Sequence, residues 1–419
     1  MSLEVTTCTK DYDNIYEQVR QQVLLRLDMT RAIEDEEIEN EIFDVIKEIS
    51  KNYPLPLNER KRLQGQVFNS LRKLDVLQEL IDDDDVTEIL VNGAKHVFYE
   101  KEGQLYQYES CFHSNEKLED VIQQIVGKNN KMVNESVPIV DTRLSDGSRV
   151  NIVLPPIAID GAALSIRRFP KNPITMERLI SKGAISKEAA AFLENLVKAK
   201  YNIFISGGTG SGKTTFLNAL SGFIPKDERI VTIEDAAELQ IRGVDNLVRM
   251  ETRSANFEGV VPITIRDLIK TALRMRPDRI IVGEVRGAEA LDMLQAMQSG
   301  HDGSLSTGHA DSCEDMIYRL ETMVLMGGIE LPLKAIRSQI GAGIDIMVHL
   351  SRLRDKSRKM MEISEVLMQT DGKIEFSVLY RFEETQDAEG KICGRWVRVN
   401  PLKNTKKCRA AGINIGDMC

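Results

Sequence analysis

The segment Gly207-Gly208-Thr209-Gly210-Ser211-Gly212-Lys213-Thr214 constrains this chain more than any other. It fits the phosphate-loop pattern G-x-x-x-x-G-K-[ST], and its flanks fit as well. Before it, Asn202-Ile203-Phe204-Ile205-Ser206 is a short apolar stretch with the character of a buried strand. After it, Thr215 to Leu220 has the character of an opening helix. Four glycines let the backbone curl until its N–H groups point inward, at a helix N-terminus that favours anions. Lys213 then reaches the β- and γ-phosphates, and the Thr214 hydroxyl holds Mg²⁺. Residues 207–215, with Thr215 closing the set, predict a site for a nucleoside triphosphate such as ATP.

Three further segments bear on that site. Ile280-Ile281-Val282-Gly283-Glu284 is an apolar strand that ends in a carboxylate. In parallel sheets ligands bind beyond the C-terminal strand ends, so Glu284 is placed to orient and deprotonate an attacking water. Arg229 to Asp235 is a second strand ending in acids, Glu234 and Asp235, with Glu238 close behind; a salt-bridged strand end is the plainer reading. Ser306-Thr307-Gly308-His309-Ala310-Asp311 ends a third strand in a histidine, which is either a sensor of the phosphate or a structural residue.

The rest of the chain organises around this centre. Residues 1–81 are predicted to be a helical N-terminal region, with Ile38, Ile42, Val45 and Ile49 on one stripe and Leu63, Val67, Leu71, Leu74 and Ile81 on another. The run Asp82-Asp83-Asp84-Asp85 predicts a solvated loop, since adjacent carboxylates repel. Residues 82–169 then alternate with a period of two and carry turn signals such as Asn92-Gly93, as an α+β domain does. Pro170-Lys171-Asn172-Pro173 opens a linker over 170–184, kept extended by its prolines. Residues 185–350 alternate helix and strand, the signature of an α/β domain with a largely parallel sheet, and 351–419 hold further strands and a tail without a clear pattern. Arg266, Lys270 and Arg274 make a basic stripe before the Glu284 strand; a salt-bridged face and a partner contact are both open.

Composition narrows the function classes. A net charge of −9 argues against nucleic acid as the main partner, because phosphate neutralisation needs a basic surface. No run of 18 apolar residues exists, and Met1 to Val5 lack the basic and apolar regions expected of a signal peptide. Six cysteines lie scattered, with no C-x-x-C pair, which suits reduced thiols in a cytosolic protein.

The order of Gly207–Thr215, Thr232-Ile233-Glu234-Asp235, Leu273 to Arg286 and Gly300-His301 through Ala310 resembles the type II/IV secretion traffic ATPases, whose four signatures are called Walker A, Asp box, Walker B and His box. Within that family the chain most resembles the CpaF/TadA-like ATPases of Flp-type (tight adherence) pilus assembly, on Ile233-Glu234-Asp235-Ala236-Ala237-Glu238-Leu239 and Leu164-Ser165-Ile166-Arg167-Arg168-Phe169. The resemblance implies a RecA-like P-loop ATPase domain preceded by the α+β domain and a small helical bundle. It implies a cytoplasmic homo-hexamer, peripheral to the inner face of the cell membrane, that hydrolyses ATP to push on integral membrane platform proteins. It makes Glu284 the general base, Glu234 a support for water or metal, and His309 a γ-phosphate sensor. It assigns arginines of the N-terminal domain to the phosphates: Arg149, Arg167 and Arg168 match best, and Arg143 matches less well. A RecA-like nucleic-acid-dependent motor is the alternative. The usual Mg²⁺-holding Asp of P-loop enzymes is replaced by Gly283, and Asp311 stands where the family suggests Asn.

Overall fold

The computed structural model describes residues 10–28, 30–101, 103–129, 131–169, 174–253, 261–328, 330–370, 372–386 and 392–414. The expected linker segment 170–173 lies outside them. The chain divides into two compact units, Met1–Lys171 and Asn172–Cys419.

The first unit begins with helices α1 (Lys10–Arg26), α2 (Asp35–Ile49) and α3 (Leu57–Arg72). In α2 three acids occupy the first turn, where the helix dipole favours them, and Ile38, Ile42, Val45, Ile46 and Ile49 are buried on one face. They pack on Val19, Val23, Leu63 and Val67 of the neighbouring helices. The second predicted stripe does not run through as one helix. After α3 the chain turns at Asp75, which adopts φ +52, and resumes as the short α4 (Leu77–Asp82). Leu74 and Ile81 therefore pack into the core of the sheet that follows, not into the bundle. A period of 3.6 cannot register a break that falls between two in-phase apolar residues.

That sheet has six antiparallel strands: β1 (Val86–Asn92), β2 (His96–Lys101), β3 (Gln104–Gln107), β4 (Ile139–Arg143), β5 (Arg149–Val153) and β6 (Ala163–Arg167), in the order β3-β2-β1-β6-β5-β4. Helix α5 (Asn115–Gly127) is capped by the Ser114 hydroxyl, which accepts from the Lys117 N–H, and buries Leu118, Val121, Ile122, Ile125 and Val126 in the same core. Burial alternates along β5 and β6, so one face is core and the other open. The acidic run is tied down at its edge: the Lys101 ammonium lies 2.9 Å from Asp83 and 3.2 Å from Asp85. Among the described residues no cluster of acids, histidines and cysteines has the arrangement of a metal site.

The second unit opens with α6 (Met176–Ser181) and α7 (Lys187–Lys198), then winds β7 (Ile203–Gly207), α8 (Lys213–Ser221), β8 (Ile230–Glu234), β9 (Leu247–Glu251), α9 (Ile265–Ala272), β10 (Arg279–Val282), α10 (Glu289–Gln298), β11 (Leu305–Gly308), α11 (Cys313–Met326), α12 (Leu333–Gly343) and β12 (Ile346–Arg352). An antiparallel extension follows: β13 (Arg358–Met368), β14 (Ile374–Gln386) and β15 (Ile392–Arg398). The nine strands lie in the order β15-β14-β13-β12-β7-β11-β10-β8-β9, with every pair from β12 to β9 parallel. Helices cover both faces. Ile203 and Ile205 enter the core made with α7 and α8, while Phe204 between them enters the core made with α9 to α12. Every residue of β7, β8, β10 and β11 is buried. This two-faced burial explains their unbroken apolar character. It also confines chemistry to the strand ends.

Two side chains lock the sheet under the site. The Asn202 amide, just before β7, donates to the carbonyls of Met297 and Gly343, and its oxygen accepts from the N–H groups of Gly303 and Ser304. Arg279, fully buried, forks onto the Glu228 carboxylate and donates to the Val197 and Gly303 carbonyls. The basic stripe ends early, because α9 stops at Ala272, before Arg274. Within it, the Arg266 Nε lies 2.8 Å from Asp292 of α10, which is the salt-bridged reading. The patternless tail is docked as well. Leu402 and Cys408 are buried, and the Glu365 carboxylate accepts from the N–H groups of Lys403 and Asn404.

Candidate active site

The phosphate loop joins the buried end of β7 to the first turn of α8. Gly212 is the N-cap of α8 with φ +94, a left-handed conformation that costs glycine little and a branched residue much. The Lys213 side chain folds back over the loop, and its ammonium donates to the carbonyls of Gly207 and Gly208, both at 3.0 Å. The same ammonium lies 3.3 Å from His309 Nδ1. His309 follows β11, the strand beside β7, and its Nε2 lies 2.9 Å from a Glu284 carboxylate oxygen. The other Glu284 oxygen accepts from Arg286 at 2.8 Å.

Lys213, His309, Glu284 and Arg286 thus form one contiguous polar line across three adjacent strand ends. Burial lowers the pKa of His309, with the nearby Lys213 charge acting in the same direction and Glu284 opposing. A neutral ring can accept from Lys213 through Nδ1, while its Nε2 lies beside Glu284 Oε1, which has no hydrogen-bond partner among the described residues. Three residues that stand up to 96 positions apart in sequence are therefore brought within hydrogen-bond reach.

Glu234 ends β8, next to β10. It is 4% exposed. One carboxylate oxygen accepts from the N–H groups of Glu238 and Leu239, at 2.7 and 2.9 Å. The other, Oε1, is buried and has no hydrogen-bond partner among the described residues. Burial pushes its pKa up to about 7 against those two hydrogen bonds. Gly283 faces this carboxyl group: a Cβ at Gly283 would come within 3.0 Å of the Glu234 Cγ. The missing strand-end Asp and the neighbouring Glu are one adjustment, since the glycine leaves room that the glutamate side chain occupies. Asp235, the second acid of the pair, lies instead 3.9 Å from Arg286.

The arginines of the first unit fall into two groups. Arg143 pairs with Arg149 across β4 and β5, and Arg149 pairs with Arg167 across β5 and β6. All three stand on the open face, side by side in one cross-strand row. Arg168 corrects the sequence expectation. The pleat turns it to the other face, where it is 9% exposed and its guanidinium donates to the carbonyls of Leu80, Asp83 and Val86. It clasps α4 to the start of β1, a structural task that uses the donors a phosphate would need.

Sequence reasoning passed over Arg286, whose signal was its place two residues beyond Glu284. It also passed over Arg358, which donates through Nε to the Gly210 carbonyl at 2.8 Å and carries no local motif.

The model of the type II/IV secretion system protein family matches residues 70–400. The chain belongs to the type II/IV secretion system protein family. It is 36% identical over 306 residues to a putative conjugal transfer protein of Mycobacterium tuberculosis, spanning 72% of this chain and 86% of that one. It is 33% identical over 303 residues to the type IV secretion system protein VirB11 of Brucella suis, spanning 66% and 84%. Among solved structures, the Legionella pneumophila ATPase DotB superposes with a TM-score of 0.50 at 21% identity, over 71% of this chain and 80% of that one, a likeness of fold. This family member is an ATPase of the type II/IV secretion family, with the α/β architecture its sequence predicts. The relatives favour that reading over a nucleic-acid motor. Among the described residues no helix is long and apolar enough to cross a membrane.

Proposed function

We propose that this ATPase powers assembly of a Flp-type pilus, as a CpaF/TadA-like homo-hexamer working in the cytoplasm against integral membrane platform proteins at the inner face of the cell membrane. The observation that carries the hydrolytic part is the Lys213–His309–Glu284 line. Gly207 to Thr215 cradle the triphosphate of ATP, and Lys213 exchanges its bonds to the Gly207 and Gly208 carbonyls for phosphate oxygens. Glu284 is the general base: largely buried at the strand-end edge, it orients water and takes its proton. His309 reports the γ-phosphate, because a phosphate drawn onto Lys213 weakens the Lys213–His309 contact and so alters the Glu284 partner.

The residues fit Mg²⁺. The buried, unpartnered Oε1 of Glu234 and the Thr214 hydroxyl at the second position of α8 are hard oxygen donors, and Glu234 replaces the carboxylate that Gly283 lacks. Mg²⁺ held by these groups would supply positive charge against the phosphate oxygens. Arg149 and Arg167, with Arg143 beside them, are phosphate-directed; Arg168 is withdrawn from that set. Loss of the chain should abolish surface pili, restored by the wild-type gene and not by Glu284→Gln. Intact pili with loss of another secreted product would overturn the pilus assignment. Mixing Arg167→Ala with Glu284→Gln subunits tests the ring. Turnover that departs from the weighted sum of the two variants supports shared sites, whereas simple additivity makes each subunit self-contained.

A further inference from the structure

The phosphate loop touches a second element besides the catalytic strand ends. Strands β12 and β13 form a hairpin turned at Leu353 to Ser357, where the Leu353 N–H donates to the Ser357 carbonyl at 2.8 Å and Asp355 caps the Ser357 N–H at 2.9 Å. This turn sets Arg352 directly opposite Arg358 in the strand register. Both side chains reach the loop crest. Arg358 Nε donates to the Gly210 carbonyl, a Cβ at Gly210 would lie 3.7 Å from Arg352 Nη1, and a Cβ at Gly212 would lie 3.4 Å from Arg358 Cδ. Two guanidinium groups facing each other repel unless an anion lies between them.

Strand order says which anion. β7 carries the loop; His309 and Glu284 stand on the β11–β10 side of it, and the arginine pair stands on the opposite, β12–β13 side. Lys213 leans toward His309, so the γ-phosphate end of a bound nucleotide points toward β11. We propose that Arg352 and Arg358 bind the α-phosphate end of the nucleotide, with Arg358 also holding the Gly210 carbonyl so that the loop crest keeps its shape. The proposal rests on the ATP-site reading of residues 207–215. Because every adenine nucleotide has an α-phosphate, the pair contributes equally to substrate, product and transition state. It is a source of uniform binding, which moves KM and leaves kcat.

The test is fluorescence titration with mant-ADP and mant-ATP, alongside steady-state turnover, on Arg352→Ala, Arg358→Ala and their lysine counterparts, each checked by thermal melting. Charge-assisted hydrogen bonds of this kind make the expected loss about 10-fold or more in affinity for both nucleotides. For Arg352→Ala, which does not touch the loop carbonyl, the kcat should stay within about twofold, and Arg352→Lys should recover most of the loss. Unchanged ADP affinity, or a fall in kcat with unchanged affinity, would overturn the placement. If an alanine variant melts early, Arg352→Gln and Arg358→Gln take its place with the same criteria. Lys213→Ala separates the two levels: if it also keeps tight nucleotide binding, the phosphate-loop reading fails; if it alone loses binding, only the arginine proposal fails.

Discussion

The two sheets of this molecule expose function in different ways. In the nucleotide-binding unit, β7, β8, β10 and β11 are buried throughout, so the candidate polar groups stand at or beyond the strand ends: Glu234 closes β8, Glu284 and His309 follow β10 and β11, and Lys213 follows the loop after β7. In the N-terminal unit, β5 and β6 are buried at every second residue, and the open positions carry Arg149 and Arg167 along the strand itself. Helices on both faces of a parallel sheet leave only an edge for a ligand; an antiparallel sheet with one open face offers a surface. The first arrangement gathers the candidate polar groups along one edge of the sheet. The second sets Arg143, Arg149 and Arg167 side by side on a surface.

The comparison is broken most forcefully at a strand end. Glu284→Gln should retain ATP binding and lower turnover at least about 100-fold, as loss of a general base does. Near-normal turnover in a colorimetric phosphate assay would remove Glu284 from that role. On the open sheet, Arg149→Ala and Arg167→Ala should lower turnover by about 10-fold or more with little change in melting temperature, since charges on an open sheet face contribute little to stability. The adjacent inward residue gives the contrast: Ile166→Ala, at 1% exposure, should cost about 2–5 kcal/mol in denaturant unfolding. An Arg167→Ala variant as destabilised as Ile166→Ala would show that the row is structural after all.

The smallest effect sharpens the strand-end side. Burial raises Glu234 from 4.5 to about 7, so the folded state holds its proton more tightly than the unfolded chain. Stability is then lost as the pH rises through that interval, and the cost is complete above about pH 7. It amounts to at most about 3 kcal/mol. Glu234→Gln removes it, so the variant should melt a few degrees above the wild type at pH 8, with the gap closing toward pH 5. A gap that widens toward pH 5 would reverse the assignment.

Much of this was legible in the residues. Glycine spacing and an apolar strand with a terminal acid are local signals, because the loop conformation and strand burial they report depend on neighbours within a few positions. Ile38, Ile42, Val45 and Ile49 announced their helix face for the same reason. Leu74 and Ile81 misled, since they stay in phase with α3 although the turn at Asp75 hands them to another core. The C-terminal tail held no periodicity at all. Its order comes from Glu365 and from Tyr201, whose hydroxyl donates to the Asn404 carbonyl at 2.6 Å, more than 200 residues away in sequence.

By itself, then, the sequence determined that the chain makes a phosphate loop, that acids and a histidine close its neighbouring strands, and that this is a secretion ATPase. Only the tertiary structure decided which side chains share a site. The pleat sent Arg167 to the open face and Arg168 into the core, though they are adjacent in the chain. Strand register put Arg143, Arg149 and Arg167 in one row and Arg352 against Arg358. Close packing gave Glu234 the space that Gly283 leaves free. The reason is common to all three: motifs encode local backbone geometry, whereas neighbours across a sheet are set by register, and register is a property of the folded whole.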